Sequence, residues 1–461
     1  MPDIFARSAM LPQGWAQDVL IGVDDAGDIT SVKTDARAPR GALHLNGPVM
    51  PGMANLHSHA FQRAMAGLAE SAGAQGQDSF WTWRDIMYRF LARLDPAQVG
   101  AIAAQLYVEM LKAGYTSVAE FHYLHHQPGG KPYDDVAEMA RRVTGAAQKT
   151  GIGMTILPVL YAYSGFGSQP ANKPQCRFVN GADRFLRIFE TLTDKHGNDP
   201  QVRVGIAPHS LRAVSKGLLA EAITGVDRID GKAPIHVHIA EQMKEVEDCV
   251  AWSNMRPVTW LYGNFNIDER WCLIHATHIN RMETWMIAHS RAVAGICPTT
   301  EANLGDGIFP LGLYLRGEGR FGIGSDSHIS VSPVEELRWL EYVQRLRREM
   351  RNVTANGAER HVGMRLWQGA LSGGAQAMGR KVDGIKVGNR ADLIGLDGNH
   401  PLLFGRDGAV LTDSFVFSGN ASLVRDVVVG GKQVVSEGRH AEEEKIARAY
   451  RKVIGELVAA A

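Results

Sequence analysis

The sequence predicts an α/β chain: a (β/α)8 barrel carrying a small β-sandwich domain built from both chain ends. Three observations lead there. Between His57 and Gly324, apolar runs alternate with helical stretches, about eight times over about 250 to 300 residues, the size of a closed barrel. Near-continuous apolar strands separated by helices mean a parallel sheet covered on both faces. No Gly-x-Gly-x-x-Gly follows an early strand, which leaves a doubly wound sheet as the runner-up. Both ends of the chain return to short strands that lack a core of their own, so they are expected to pack together.

Each element follows from local signals. Residues 1–50 form the N-terminal part of the small domain. Asp18 to Val23 is an apolar-rich run, Asp24 to Asp28 a turn, and Ile29 to Val32 resumes the strand, a hairpin signature. Leu45 to Met50 is extended, and Pro51-Gly52 is expected to turn the chain. The barrel occupies 51–380. Asp95 to Ala113 is helical, with Pro96 at its start and Gly114 as its stop. Strands at Tyr115–Phe121, Gly153–Tyr161, Val202–Ala207, Ala233–Ile239, Trp271–Ala276, Ala292–Cys297 and Arg320–Gly324 alternate with further helices. These helices are read at Asp134–Thr150, Ala182–Lys195, Leu218–Ile223, Glu241–Trp252, Asn280–Ser290, Leu311–Arg316 and Val334–Met350. Residues 381–440 complete the small domain with strands at Ala391–Leu396 and Leu423–Val429 and a tight turn at Gly430-Gly431-Lys432. Residues 441–461 read as a charged amphipathic helix.

Composition excludes several classes. The 461 residues are 45% hydrophobic and 21% charged, as in globular proteins. Forty-nine basic residues balance 49 acidic ones, so no global charge draws the chain to nucleic acid or an anionic membrane. No run of about 18 apolar residues is present. Met1 to Ala16 has no continuous apolar core, so no signal peptide is expected. Cys176, Cys249, Cys272 and Cys297 are widely spaced, as reduced thiols of a cytoplasmic enzyme would be.

The chemistry starts at Pro51-Gly52-Met53-Ala54-Asn55-Leu56-His57-Ser58-His59. Residues i and i+2 of a strand share a face, so both imidazoles can reach one metal ion. The pair alone is weak: 17 His in 461 residues give about 0.6 His-x-His pairs by chance. Its weight comes from the other strand ends, where barrels carry their active sites. His238 with Glu241 follows one strand, His275 ends another, and Asp326 follows a third. Alone, Glu241 would be a helix N-terminal carboxylate and Asp326 a turn or N-cap residue. His236 reads as a barrel-lining core residue, and His278 and His289 as surface residues. At most one of His122, His125 and His126, in a Gly/Pro-rich loop, is expected to enter the site.

Together the pattern resembles the amidohydrolase superfamily, in its branch of mononuclear aminohydrolases. The resemblance covers Pro51 to about Pro333 and extends to Gly388-Asn389-Arg390-Ala391-Asp392-Leu393. Within the family, His57-Ser58-His59-Ala60-Phe61-Gln62-Arg63, Glu120-Phe121-His122-Tyr123, Pro208-His209-Ser210-Leu211-Arg212 and Ser325-Asp326-Ser327-His328 are most similar to the formiminoglutamate-deiminating branch. The resemblance implies that His57, His59, His238 and Asp326 are metal ligands and His275 an imidazole that either supports those ligands or acts in catalysis. Binuclear relatives add a bridging lysine near strand four; here that strand end carries His209, and Lys216 lies too far along. One ion per chain is therefore expected. Imidazoles and a carboxylate suit Zn²⁺, although imidazole also suits iron.

The activity so implied is hydrolytic deimination of N-formimino-L-glutamate in histidine degradation. Asp326 would accept the water's proton, His275 would orient the nucleophile, and Glu241 would pass a proton to the imino nitrogen. A dicarboxylate substrate needs cations and donors. Arg212 and Arg84 suit carboxylate clamps, and His209, Gln62 and Tyr123 are further substrate-binding candidates. A purine, pterin or pyrimidine deaminase is the alternative enzyme, and a non-catalytic barrel the alternative class. A homodimer without nucleic-acid or membrane partners is expected.

Overall fold

A computed structural model describes residues 1–71 and 78–459. Its centre is a barrel of parallel strands: Met53–Ser58, Tyr115–His122, Gly153–Leu160, the pair Val202–Val204 and Ala207–Pro208, Ile235–Ile239, Trp271–His275, Val293–Ile296 and Arg320–Ile323. Nearly every residue of these strands is buried, which is why they read as continuous apolar runs rather than alternating ones. Two junctions close the barrel. Ile323 pairs with Asn55 between the last strand and the first. Bridges Ile206–Ile235 and Ser210–His238 join the fourth and fifth.

The helices between the strands obey their end signals. Pro96–Ala113 starts after Asp95, whose side chain accepts the Gln98 N–H at 2.8 Å, and stops at Gly114 with φ 106°. Several boundaries differ from the sequence reading. The helix read from Asp134 starts at Glu138, and the one read at Leu218–Ile223 runs Lys216–Asp230. The helix read from Glu241 begins at Met243, so Glu241 lies in the loop before it, not in a helical first turn.

Both chain ends build one eight-stranded sheet beside the barrel, ordered from Arg439–His440 through Leu393–Leu396 and Leu43–Pro51 to Ile29–Lys33. Ile4–Leu11 runs parallel to Leu43–Pro51, and Leu393–Leu396 antiparallel to it. Its core mixes Ile4, Ile21 and Val49 with Leu393 and Val428, so neither end could bury its apolar face alone. Residues 381–440 also contain a helix, Gly408–Phe417, packed on the barrel-side helix Val362–Met378. The tail helix Glu443–Ala459 packs on Pro96–Ala113.

Pro51-Gly52 does not turn the chain back. Pro51 ends the sheet strand and Met53 starts the first barrel strand. A Cβ on Gly52 would lie 2.1 Å from Thr116 Cγ2, so only glycine passes there. At Gly373 a Cβ would lie 1.8 Å from the Phe321 carbonyl oxygen, which lets Val362–Met378 seat directly on the last strand.

Candidate active site

The carboxyl ends of the fifth, sixth and eighth strands leave the extended region abruptly. Ala240, His275, Ala276 and Asp326 all have positive φ, from 43° to 68°. Such left-handed non-glycine residues are uncommon and cluster at functional sites. Here they turn the chain so that strand-end side chains face inward. Backbone bonds then zip the eighth strand end to the first: Asp326 N–H donates to His57 O at 3.0 Å, and His59 N–H to Asp326 O at 3.2 Å.

This brings His57, His59 and Asp326 around one point, and His57, His238 and His275 around another that shares His57. Asp326 Oδ1 lies 3.4 Å from His57 Nε2 and 3.3 Å from His59 Nε2, and His238 Nε2 lies 3.0 Å from His57 Nε2. His59 Nδ1 pairs with the Phe121 carbonyl and His238 Nδ1 with the His209 carbonyl, each at 2.9 Å. A carbonyl only accepts, so both protons sit on Nδ1 and both Nε2 lone pairs converge. Burial lowers the pKa of His57 and His238 well below the usual value, which favours the neutral, ligating forms. Converging buried lone pairs beside a carboxylate repel one another. A divalent cation resolves that repulsion, so the donor set fits a metal, with the carbonyl bonds fixing the ligand rings.

The expected proton carriers stand beside this cage. His275 Nε2 is 3.6 Å from Glu241 Oε1 and 3.7 Å from Asp326 Oδ2. Burial pushes the Glu241 carboxyl up to about 7, against the pull of His275, a value suited to exchanging protons near neutral pH. Two acids that sequence reasoning missed complete the cluster. Glu301 Oε1 lies 3.2 Å from His275 Nδ1 and also accepts the Cys297 N–H at 2.9 Å. Asp306 lies close to Glu241 and His275, its carboxyl raised to about 9 by burial and by Glu241. Both come from the stretch after the seventh strand, where single acids in polar sequence carry no spacing signal.

Gln62, Arg84, Tyr123, His209 and Arg212 border the same cavity as His59, His238, Glu241, His275 and Asp326. The Arg212 side chain is 9% exposed, and its Nε has no partner. Burial works against its charge, and Glu245, then Tyr161 and Glu241, more than offset that. The Arg84 guanidinium lies 4.4 Å from the Trp81 ring centre and that of Arg212 6.0 Å from it. Among the described residues no carboxylate pairs with either arginine. Gln62 Nε2 donates to the Tyr123 hydroxyl at 2.9 Å, and its Oε1 has no partner. His209, beside Ser210 Oγ at 3.1 Å, has its pKa lowered by burial and by Arg212.

The remaining histidines stay outside the cavity. His236 bonds the Ala377 carbonyl at 2.7 Å, as a core residue would. His125 and His126 bond the Val159 and Val179 carbonyls, and His122 does not border the cavity either. Lys216 is exposed at a helix start, out of bridging position. Sequence reasoning also missed the helix Phe80–Leu91, which supplies Phe80, Trp83, Met87 and Tyr88 to the wall. Its signal was present: Ser79 and Thr82 form a capping box.

A barrel with this cage at its strand ends, next to a sheet built from both chain ends, is the architecture of a metal-dependent hydrolase. Residues 49–434 match the Amidohydrolase family, and the chain belongs to it. Residues 1–42 match the formimidoylglutamate deiminase HutF N-terminal domain. The chain is 52% identical to formimidoylglutamate deiminase of Pseudomonas aeruginosa, over 99% of this chain and all of that one. It superposes on the crystal structure of an amidohydrolase from Brucella melitensis with a TM-score of 0.94 and 47% identity, covering 99% of this chain and 100% of the other. An adenosine deaminase from Xanthomonas campestris with bound zinc shares the fold, with a TM-score of 0.82 at 19% identity over 99% and 98% of the two chains.

Proposed function

We propose that this enzyme hydrolyses N-formimino-L-glutamate to N-formyl-L-glutamate and ammonia, a step of histidine degradation, using one zinc ion per chain. The observation that carries the reading is the pair Arg84 and Arg212, which no carboxylate among the described residues approaches within ion-pair distance, in the cavity that also holds the metal cage. A neutral heterocycle has no use for two such cations. A dicarboxylate with an amidine at one end does. The 52% identity to the Pseudomonas aeruginosa deiminase supports the same substrate.

A divalent ion held by His57, His59, His238 and Asp326 would supply water of lowered pKa at the site. Asp326 would accept a proton from the attacking water, and His275, braced by Glu301, would orient its oxygen for addition to the formimino carbon. Glu241 delivers a proton to the imino nitrogen. The proton taken up by Asp326 passes to the same nitrogen, the C–N bond of the tetrahedral adduct breaks, ammonia leaves, and the adduct's hydroxyl returns its proton to Glu241 as the carbon keeps its oxygen as a formyl group. Arg212 and Arg84 hold the carboxylates while Gln62, Tyr123 and His209 fix the rest of the chain.

Among the described residues no helix is long and apolar enough to cross a membrane. The four cysteines are free, which supports a cytoplasmic setting. Trp339, Tyr342 and Leu346 are exposed along one face of the helix Pro333–Arg348, which supports a homodimer through that face. The test is to supply metal-loaded protein with N-formimino-L-glutamate and measure ammonia. Faster turnover of guanine or cytosine would move the enzyme to ring deamination.

A further inference from the structure

Gln175 lies behind the cavity on the short turn Lys173–Arg177, and it is 1% exposed. Its Oε1 accepts the Asn172 N–H at 2.9 Å, which fixes how the amide is oriented. Nε2 therefore faces two phenols, Tyr161 at 2.7 Å and Tyr88 at 3.4 Å. An amide nitrogen only donates, so both phenol oxygens accept, and their own protons point elsewhere.

The proton count then decides what this wall can bind. Tyr88 and Tyr161 border the cavity together with Arg84 and Arg212. Among the described residues, no carbonyl or carboxylate accepts from either hydroxyl. If one phenol donates to the other, one proton still remains. Burial raises the Tyr161 pKa well above its usual value, so the hydroxyl keeps that proton. Two guanidiniums with no carboxylate at ion-pair distance and a phenol proton with no carbonyl or carboxylate acceptor, among the described residues, make this wall rich in donors. A buried donor left unpaired is costly, and a carboxylate is the acceptor that satisfies all of them.

We propose that Tyr161 is a substrate-binding residue that donates its hydroxyl to the carboxylate held by Arg84 and Arg212, and that Gln175 is the positioning residue that sets the direction of this donation. Tyr161 is chosen over Tyr88 because its bond to Gln175 is shorter and it immediately follows the third barrel strand, Gly153–Leu160. The proposal rests on the dicarboxylate reading of the reaction. It makes this end of the site selective for an anion over a neutral amide of the same shape.

The test is steady-state kinetics on metal-loaded enzyme, with calorimetric binding of N-formyl-L-glutamate as a second readout. Tyr161→Phe should raise KM for N-formimino-L-glutamate about 10- to 100-fold, weaken product binding by a similar factor and leave metal content unchanged. kcat should stay within about threefold. Gln175→Glu keeps the shape but turns the donor into an acceptor, which draws the phenol protons out of the cavity, so KM should rise likewise. Because both changes remove one contact, the double variant should be no worse than the more damaging single one. Unchanged KM and product affinity in folded Tyr161→Phe would overturn the proposal, as would a loss confined to kcat. Additive effects in the double variant would overturn the role of Gln175. If the wild type turns over N-formimino-L-glutamate and Arg212→Met is impaired while Tyr161→Phe is silent, only this proposal falls. If the wild type does not turn the substrate over, the reading beneath it falls as well.

Discussion

Replacing Arg212 by Met is the most direct test of the substrate. The guanidinium is nearly buried, has no acid within ion-pair distance among the described residues, and borders the cavity of the metal cage. Met keeps the aliphatic bulk, so the wall should not collapse, and only the charge-assisted contact is lost. A hydrogen bond to a charged group contributes about 1.5–3 kcal/mol. The expected loss in kcat/KM is therefore about 10- to 150-fold. Arg212→Lys should recover only part of it, because a point charge cannot reproduce a planar two-pronged contact. Arg84 is half-buried and stacked on Trp81, so solvent screens it more. Arg84→Met should lose about 1 kcal/mol or less. The assay is initial-rate release of ammonia from N-formimino-L-glutamate, with metal content and folding checked in each variant. Wild-type kcat/KM in a folded, metal-loaded Arg212→Met would show that no substrate carboxylate reaches this arginine.

Three further outcomes follow from the structure. Glu241→Gln should keep its metal yet lose turnover by about 100-fold or more, since it removes a positioned proton carrier; loss of metal on analysis of the purified variant would make Glu241 a ligand instead. His59→Ala should fall well below the single tightly bound divalent ion expected per wild-type chain, and chelation of the wild type should lower its melting temperature; unchanged occupancy in the variant, or two tight ions per wild-type chain, would count against the cage. Gly373→Ala places a methyl against the Phe321 carbonyl and should destabilise the fold by about 3 kcal/mol, at the upper end for overpacking; an unaltered thermal melt would mean that Val362–Met378 can shift away from the barrel.

The barrel was legible because its strands are buried on both faces, which leaves a direct mark in composition. The cage was legible because strand ends can be located to within a residue or so, and His57, His59, His238, His275 and Asp326 all sit there. One residue of error was enough to hide Tyr161. Read as the last residue of a strand, it counts as core; in the structure the strand ends at Leu160, and Tyr161 is the first residue beyond it. Gln175 lies on a short turn, Glu301 in the seven-residue helix Pro298–Leu304 and Asp306 in the loop after it, all too short for a periodicity that would mark them out.

What unites the visible and hidden residues is that neither end of the cavity is satisfied by the protein alone. At one end the His59 lone pair faces Asp326 and the His238 and His57 Nε2 atoms lie 3.0 Å apart, an arrangement that a cation reconciles. At the other end Arg84, Arg212 and a phenol border the cavity with no carboxylate acceptor at bonding distance among the described residues, an arrangement that an anion reconciles. The left-handed backbone at Ala240, His275, Ala276 and Asp326 adds about 1–3 kcal/mol of strain at each residue. Bound ligands can offset such terms, because anything that binds the native state alone stabilises it. The two unsatisfied ends also fix the direction of the substrate. Carboxylates are drawn to the arginines, which leaves the amidine to lie at the cage. Orientation is thus set by the two guanidinium charges, before any contact specific to the formimino group is made.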